Sequence, residues 1–225
     1  MEKILYDRIE TYMLGQMQDS AHDAEHVFRV LYAALDILET EPEADADVVV
    51  AACLLHDIGR GEQFQNPALC HAQVGAEKAY RFLLQNGMEE SFAAHVRDCI
   101  RTHRFRSDAP PQTLEAKILF DADKLDVSGA MGIARTLLYV GETAEPLYTR
   151  AADGLISDGT DDVEPSFFQE YRHKLERIYD GFYPARAAVL ACERRATAEQ
   201  FYRALLREVR EAEEKGRLTL HNILK

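Results

Sequence analysis

One stretch constrains this chain more than any other: Val48-Val49-Val50-Ala51-Ala52-Cys53-Leu54-Leu55-His56-Asp57-Ile58-Gly59, an apolar run that stops at an imidazole and a carboxylate. A run of this kind predicts a helix buried on every side. It therefore carries two polar side chains into the interior. Burying such groups without partners costs on the order of several kcal/mol. A hydrogen bond between the two would meet part of that demand. A bound divalent cation meets it more fully, because neutral imidazole and ionised carboxylate are common ligands for borderline and hard metals.

Other segments repeat the same chemistry. His22 and His26 stand four residues apart, which on a helix places them on one face a turn apart. His71, His103 and Asp121-Ala122-Asp123 follow, each beside apolar, helix-like sequence. The set gains a common purpose only if the fold gathers it into one metal site. The metal would be divalent (manganese, zinc, iron, cobalt, nickel or magnesium), with one or two ions per chain.

Nearly all periodicity along the chain is helical. Helices are expected over residues 4 to 17, 22 to 38, 46 to 58, 71 to 85, 91 to 101 and 114 to 125, the last continuing past Gly129. Two more follow over 167 to 179 and 187 to 213. The second carries an apolar stripe of Val27, Val30, Leu31, Ala34 and Leu38, and Gly59 reads as the stop of the third. No run alternates with period two, so the expected class is all-α. Residues 61 to 70 are polar, contain Pro67 and read as a loose segment able to cover a site. Residues 141 to 165 are acidic and glycine-punctuated, and read as a mobile surface loop.

With 225 residues, 47% hydrophobic and 29% charged, the chain is expected to form one domain over 1 to 225 with a substantial core. A net charge of −13 argues against general nucleic-acid binding and against an anionic membrane surface. Nucleotides stay open, since a metal and a few local cations can invert the field inside a pocket. Cys53, Cys70, Cys99 and Cys192 have no CxxC spacing and predict no disulfide framework. No signal-like N-terminus or membrane-length apolar stretch is seen, so a cytoplasmic location is expected.

Three stretches, His22-Asp23-Ala24-Glu25-His26-Val27-Phe28-Arg29-Val30, Leu54-Leu55-His56-Asp57-Ile58-Gly59 and Asp121-Ala122-Asp123-Lys124-Leu125-Asp126, resemble the HD-domain superfamily of metal-dependent phosphohydrolases. His71-Ala72-Gln73-Val74-Gly75-Ala76 and Ile100-Arg101-Thr102-His103 look like the intervening histidine positions of members that hold two metals. The resemblance covers about residues 20 to 135 and extends to small bacterial HD proteins. It implies an HD-domain helical bundle with a C-terminal helical extension over about 166 to 215.

The resemblance also implies a ligand set. His26, His56, Asp57 and Asp123 would hold a first metal. His71 and His103 would complete a second with Asp57 bridging, or donate hydrogen bonds in a one-metal site. Periodicity alone leaves the third carboxylate open: if Ile118, Ala122, Leu125 and Gly129 face inward, Asp121 and Asp126 border that face and Asp123 lies further round. The family's Ala-Asp stretch favours Asp123 and leaves Asp121 and Asp126 to orient histidines or waters. His22 would take an extra ion or act as general acid or base. Lys124, Arg60 and Arg104 would hold phosphate oxygens.

The implied function is metal-dependent hydrolysis of a small phosphorylated molecule, a nucleotide in the leading reading. The Glu-Asp pair of the guanosine-tetraphosphate branch and the GYP signature of the cyclic-dinucleotide branch are both missing, which makes those substrates a poor fit. The alternatives are a di-iron oxygenase built on the same ligand order and a non-catalytic module that senses a ligand through the site.

Overall fold

A computed structural model describes residues 1–17, 24–104 and 109–225. Among these the regular structure is entirely helical, and a single isolated bridge, Arg150 with Ile156, is the only strand-like pairing. The chain divides into two compact units: residues 1–126 with 182–188, and residues 127–181 with 189–225.

The first unit is assembled around α3, Ala46–Leu55. Asp45 starts it by accepting hydrogen bonds from the backbone N–H groups of Asp47 and Val48 at 2.9 and 3.2 Å. This is the expected role of an aspartate ahead of an apolar run. From Val48 to Leu55 every residue but Val50 is buried. The helix packs against α1 (Lys3–Gln16), α2 (Ala24–Leu38), α6 (Glu90–Thr102) and α7 (Leu114–Asp126). A helix surrounded in this way delivers whatever follows its C-terminus to the middle of the unit, and His56-Asp57 follow it. On α2 the buried stripe is Val27, Val30, Leu31, Ala34 and Ile37, with Ile37 taking the place expected for Leu38.

Several boundaries differ from the sequence expectation. The third helix ends at Leu55, and residues 56–59 form turns. Gly59 has φ −95°, which any residue can adopt, so it is not a left-handed stop. Its requirement is space: a Cβ there would lie 2.3 Å from the His71 carbonyl oxygen and 2.6 Å from the Gly75 nitrogen. The two glycines let the turn sit directly on α5, His71–Gln85. The segment expected to be loose begins as a short helix, α4, Arg60–Gln65. The sixth helix does not run past Gly129: α7 stops at Asp126, and α8, Gly129–Glu142, opens at a glycine with φ +61°. That conformation interrupts a continuous helix and suits glycine.

The second unit packs α8, α9 (Phe167–His173), a 3₁₀ turn at Leu175–Arg177 and the long α10, Ala185–Ile223, of which residues 189 onward belong here. Its core joins Ile133, Val140, Ile156, Phe167, Phe168, Tyr171, Leu175, Ala198 and Tyr202, with Tyr171 and Tyr202 stacked at 4.0 Å. The acidic stretch is held by its own side chains. Asp162 accepts from the hydroxyls of Thr149 and Ser157 at 2.5 and 2.6 Å, and Asp158 pairs with Arg172 at 2.9 Å. The last helix runs ten residues beyond the expected end at Glu213, with Arg217 pairing to Glu213 one turn back at 2.9 Å.

Candidate metal centre

The structure brings His26, His56, Asp57, His71, His103 and Asp123 together within the first unit. They arrive from α2, the turn after α3, the first residue of α5, the end of α6 and the last turn of α7. His56, Asp57, His71 and His103 are at most 1% exposed, and His26 is buried too. Two groups of donor atoms form, each within 4.8 Å: His26, His56 and Asp123 in one, Asp57, His71 and His103 in the other.

Asp57 joins the two groups. Its Oδ2 lies 3.5 Å from His26 Nε2 and 3.6 Å from His56 Nε2. Its Oδ1 lies 3.5 Å from His71 Nε2 and 3.6 Å from His103 Nε2. These separations exceed a hydrogen bond. Among the described residues, Asp57 Oδ2, His71 Nε2 and His103 Nε2 are buried with no hydrogen-bond partner.

Each imidazole is oriented through its other nitrogen. His56 Nδ1 donates to the Cys53 carbonyl at 2.7 Å, and His103 Nδ1 to the Ile100 carbonyl at 2.6 Å. His71 Nδ1 donates to Gln63 Oε1 at 2.8 Å, and His26 Nδ1 to Asp126 Oδ2 at 2.8 Å. A proton fixed on Nδ1 leaves the Nε2 lone pair aimed into the cluster, the arrangement a metal-binding histidine needs. Asp126 is itself anchored by Arg29, whose Nε donates to Oδ1 at 2.7 Å.

The electrostatics split the four imidazoles: burial opposes a charge on His103, yet Asp57 and Asp123 raise it, whereas His56 and His71 move the other way. Burial pushes His56 down to about 4, Asp57 offsetting only part of the effect. Burial also lowers His71 to about 3, reinforced by the Arg60 and Arg104 guanidinium groups. Burial opposes a charge on His26, yet Asp123, Asp126 and Asp57 together raise it to about 11. Burial likewise opposes ionisation of Asp57 and Asp123, and the surrounding histidines override it, holding both carboxyls below the usual range. Ionised carboxylates enclosing His26 demand a cation, and a proton or a metal ion supplies it. The residues present therefore fit a divalent metal, by donor chemistry and by three otherwise unpartnered buried atoms.

The remaining sequence candidates fall in different places. Asp123 Oδ1 lies 3.4 Å from His26 Nε2, inside the cluster. Asp126 holds His26 from behind. Asp121 is outside it: its Oδ2 accepts from the Tyr183 backbone N–H at 2.6 Å, and burial raises it to about 7. Lys124 is buried with its ammonium 4.3 Å from the Phe182 ring centroid. Arg60 donates from Nε to Asp57 Oδ1 at 2.9 Å, and Arg104 reaches Cys70 Sγ at 3.8 Å. His22 lies outside the described residues.

Residues 23–128 match the HD domain family. YpgQ of Bacillus subtilis (strain 168) is 31% identical over 209 residues, covering 90% of this chain and 93% of its own. The chain belongs to the HD-domain superfamily. The crystal structure of B. subtilis YpgQ in complex with ADP superposes with a TM-score of 0.69 at 28% identity, over 91% of this chain and 97% of that one. A predicted HD superfamily hydrolase from an uncultured Thermotogales bacterium gives 0.62 at 29%, over 92% of each chain. An HD-superfamily hydrolase from Bacillus thuringiensis gives 0.72 at 26%, over 92% and 98%.

Within this HD domain, sequence reasoning passed over three supporting features. Arg29 follows His26 by three residues on the same helical face, a spacing that signals a shared partner. Gly75 follows His71 by four residues and keeps the α5 surface low enough for Gly59. Gln63 sits in a polar segment that carries no distinguishing pattern.

Proposed function

We propose that this HD domain holds one or two divalent metal ions and hydrolyses a phosphoester or phosphoanhydride bond in a small molecule, a nucleotide in the leading reading. The observation that carries the proposal is the convergence of Asp57 Oδ2, His71 Nε2 and His103 Nε2, buried and without partners, beside the His26, His56 and Asp123 donors. A bound metal of this kind lowers the pKa of water and neutralises phosphoryl charge. The chain's own residues hold the donors in place: Asp126 and Gln63 orient His26 and His71, and backbone carbonyls orient His56 and His103. Arg60 and Arg104 provide positive charge next to His71 and suit the oxygens of an anionic substrate.

The nucleotide part draws support from YpgQ, whose crystal structure contains ADP. No helix among the described residues is long and apolar enough to cross a membrane. Buried, unpaired Cys53 and Cys99 suit a reducing compartment, which supports a cytoplasmic site of action. A phosphatase panel across nucleotides and simple phosphomonoesters, run in water enriched in heavy oxygen, tests the reading. Phosphate release should be suppressed by chelator, restored by added metal, and accompanied by label in the phosphate-containing product. Oxygen uptake by iron-loaded protein with no phosphate release under any metal would overturn it.

A further inference from the structure

The two halves of the cluster are not built alike. The donors around Asp57 Oδ2 are oriented by Asp126, by the Cys53 carbonyl and by α7 itself, none of which involves α4. The donors around Asp57 Oδ1 depend on α4 twice. Gln63 accepts from His71 Nδ1, and Arg60, three residues earlier on the same short helix, places Nε 2.9 Å from Oδ1. Thus the oxygen that faces His71 and His103 is also the one held by a permanent cation.

A divalent ion held by Asp57, His71 and His103 would sit beside that guanidinium, since Arg60 Nε is 2.9 Å from Asp57 Oδ1. Like charges so near repel, although the exposed flank of Arg60 lets solvent screen part of the repulsion. The Arg60 side chain is 29% exposed, so its head can leave Asp57 for an anion arriving from solvent. A phosphate group offers a guanidinium a bidentate contact as good as the carboxylate it gives up.

We infer that Arg60 controls the second metal position: it holds Asp57 Oδ1 until a phosphate-bearing ligand draws it away, so the second divalent ion and the phosphate bind together. The inference rests on the metal-site reading above. It makes Arg60 a residue shared between Asp57 and the phosphate, and it makes metal occupancy, rather than turnover alone, respond to substrate.

The test is a manganese(II) titration of the full chain followed by electron paramagnetic resonance, with and without inorganic phosphate. Wild type should bind one equivalent tightly and a second weakly, with phosphate strengthening the second about tenfold. Arg60→Gln should tighten the second equivalent without phosphate by about 10- to 100-fold, the range expected when a charge-assisted hydrogen bond stops competing. Phosphate should then add little, and the first equivalent should be unchanged. Arg60→Lys keeps the charge and should remain closer to wild type. His71→Ala, checked for helicity by circular dichroism, should lose only the second equivalent, which locates it. A second equivalent no tighter in Arg60→Gln than in wild type, or absent from both, overturns the role of Arg60 and leaves the first metal standing. No manganese bound by wild type at all overturns the metal reading itself.

Discussion

The three aspartates of α7 should separate sharply when each is changed to asparagine. Asp126 accepts from His26 Nδ1 at 2.8 Å and from Arg29 Nε at 2.7 Å, so an amide can satisfy only one of the two with its oxygen. Arg29 is 33% exposed and can turn to solvent, so the loss falls at the low end of a charged hydrogen bond, about 1.5 kcal/mol. Carried through to the metal, a group that orients a ligand is worth about 10- to 100-fold in affinity. Asp123→Asn removes an anionic donor from the cluster itself. Breaking a largely buried charge pair costs about 3–5 kcal/mol, which corresponds to a loss on the order of a thousandfold. Asp121 faces the Tyr183 backbone N–H, which an asparagine oxygen can still accept, so Asp121→Asn should leave metal affinity unchanged. Competition titration against a chromogenic chelator, with far-UV circular dichroism to confirm folding, ranks all three. Metal lost in Asp121→Asn, or Asp126→Asn as damaging as Asp123→Asn, would refute the assignment.

Two further outcomes follow from the same geometry. Gly59→Ala forces a Cβ against backbone on both sides, at His71 and Gly75, and should cost about 3 kcal/mol. That is a fall in melting temperature of roughly 6–12 °C for a chain of this size, and an unchanged melt would count against the close approach. The buried Asp121 carboxyl holds its proton up to about 7, against an ordinary value of 3.8, so the folded state binds that proton more tightly than the unfolded chain. Its contribution to stability is complete below about pH 4 and lost as pH rises through 7. Urea midpoints at pH 5 and pH 8 should show wild type losing ground to Asp121→Asn at the higher pH, and a difference independent of pH would contradict this burial effect.

Much of the fold and of the candidate site was legible because their signals are local. Histidines and aspartates beside apolar helix sequence stand out, and the buried α3 announces itself by having no polar face. Helix α5, His71–Gln85, has the bounds that periodicity gives it, and Gly87 just beyond it has φ +80°. What stayed hidden depends on distance in three dimensions. The assignment among Asp121, Asp123 and Asp126 turns on what faces α7, here His26 on one side and Tyr183 on the other, and periodicity within one helix does not specify that. Helix α4 is too short to show an amphipathic period, so Gln63 read as part of a loose segment over residues 61 to 70, and Arg60 stood out only for its charge beside the motif. The break before Gly129 required a positive φ that an apolar pattern does not reveal. Lys124 adjoins the motif in sequence, yet its ammonium packs over Phe182, because neighbours along a helix point in different directions.

The central claim is that the buried histidine and aspartate donors hold a divalent metal through Asp57. Elemental analysis of wild type and Asp57→Ala, each equilibrated with manganese, dialysed and checked for helicity, tests it most directly. The account predicts one or two equivalents in wild type and none in Asp57→Ala at unchanged helicity. Equal metal content in the two proteins, or none in wild type, would contradict it.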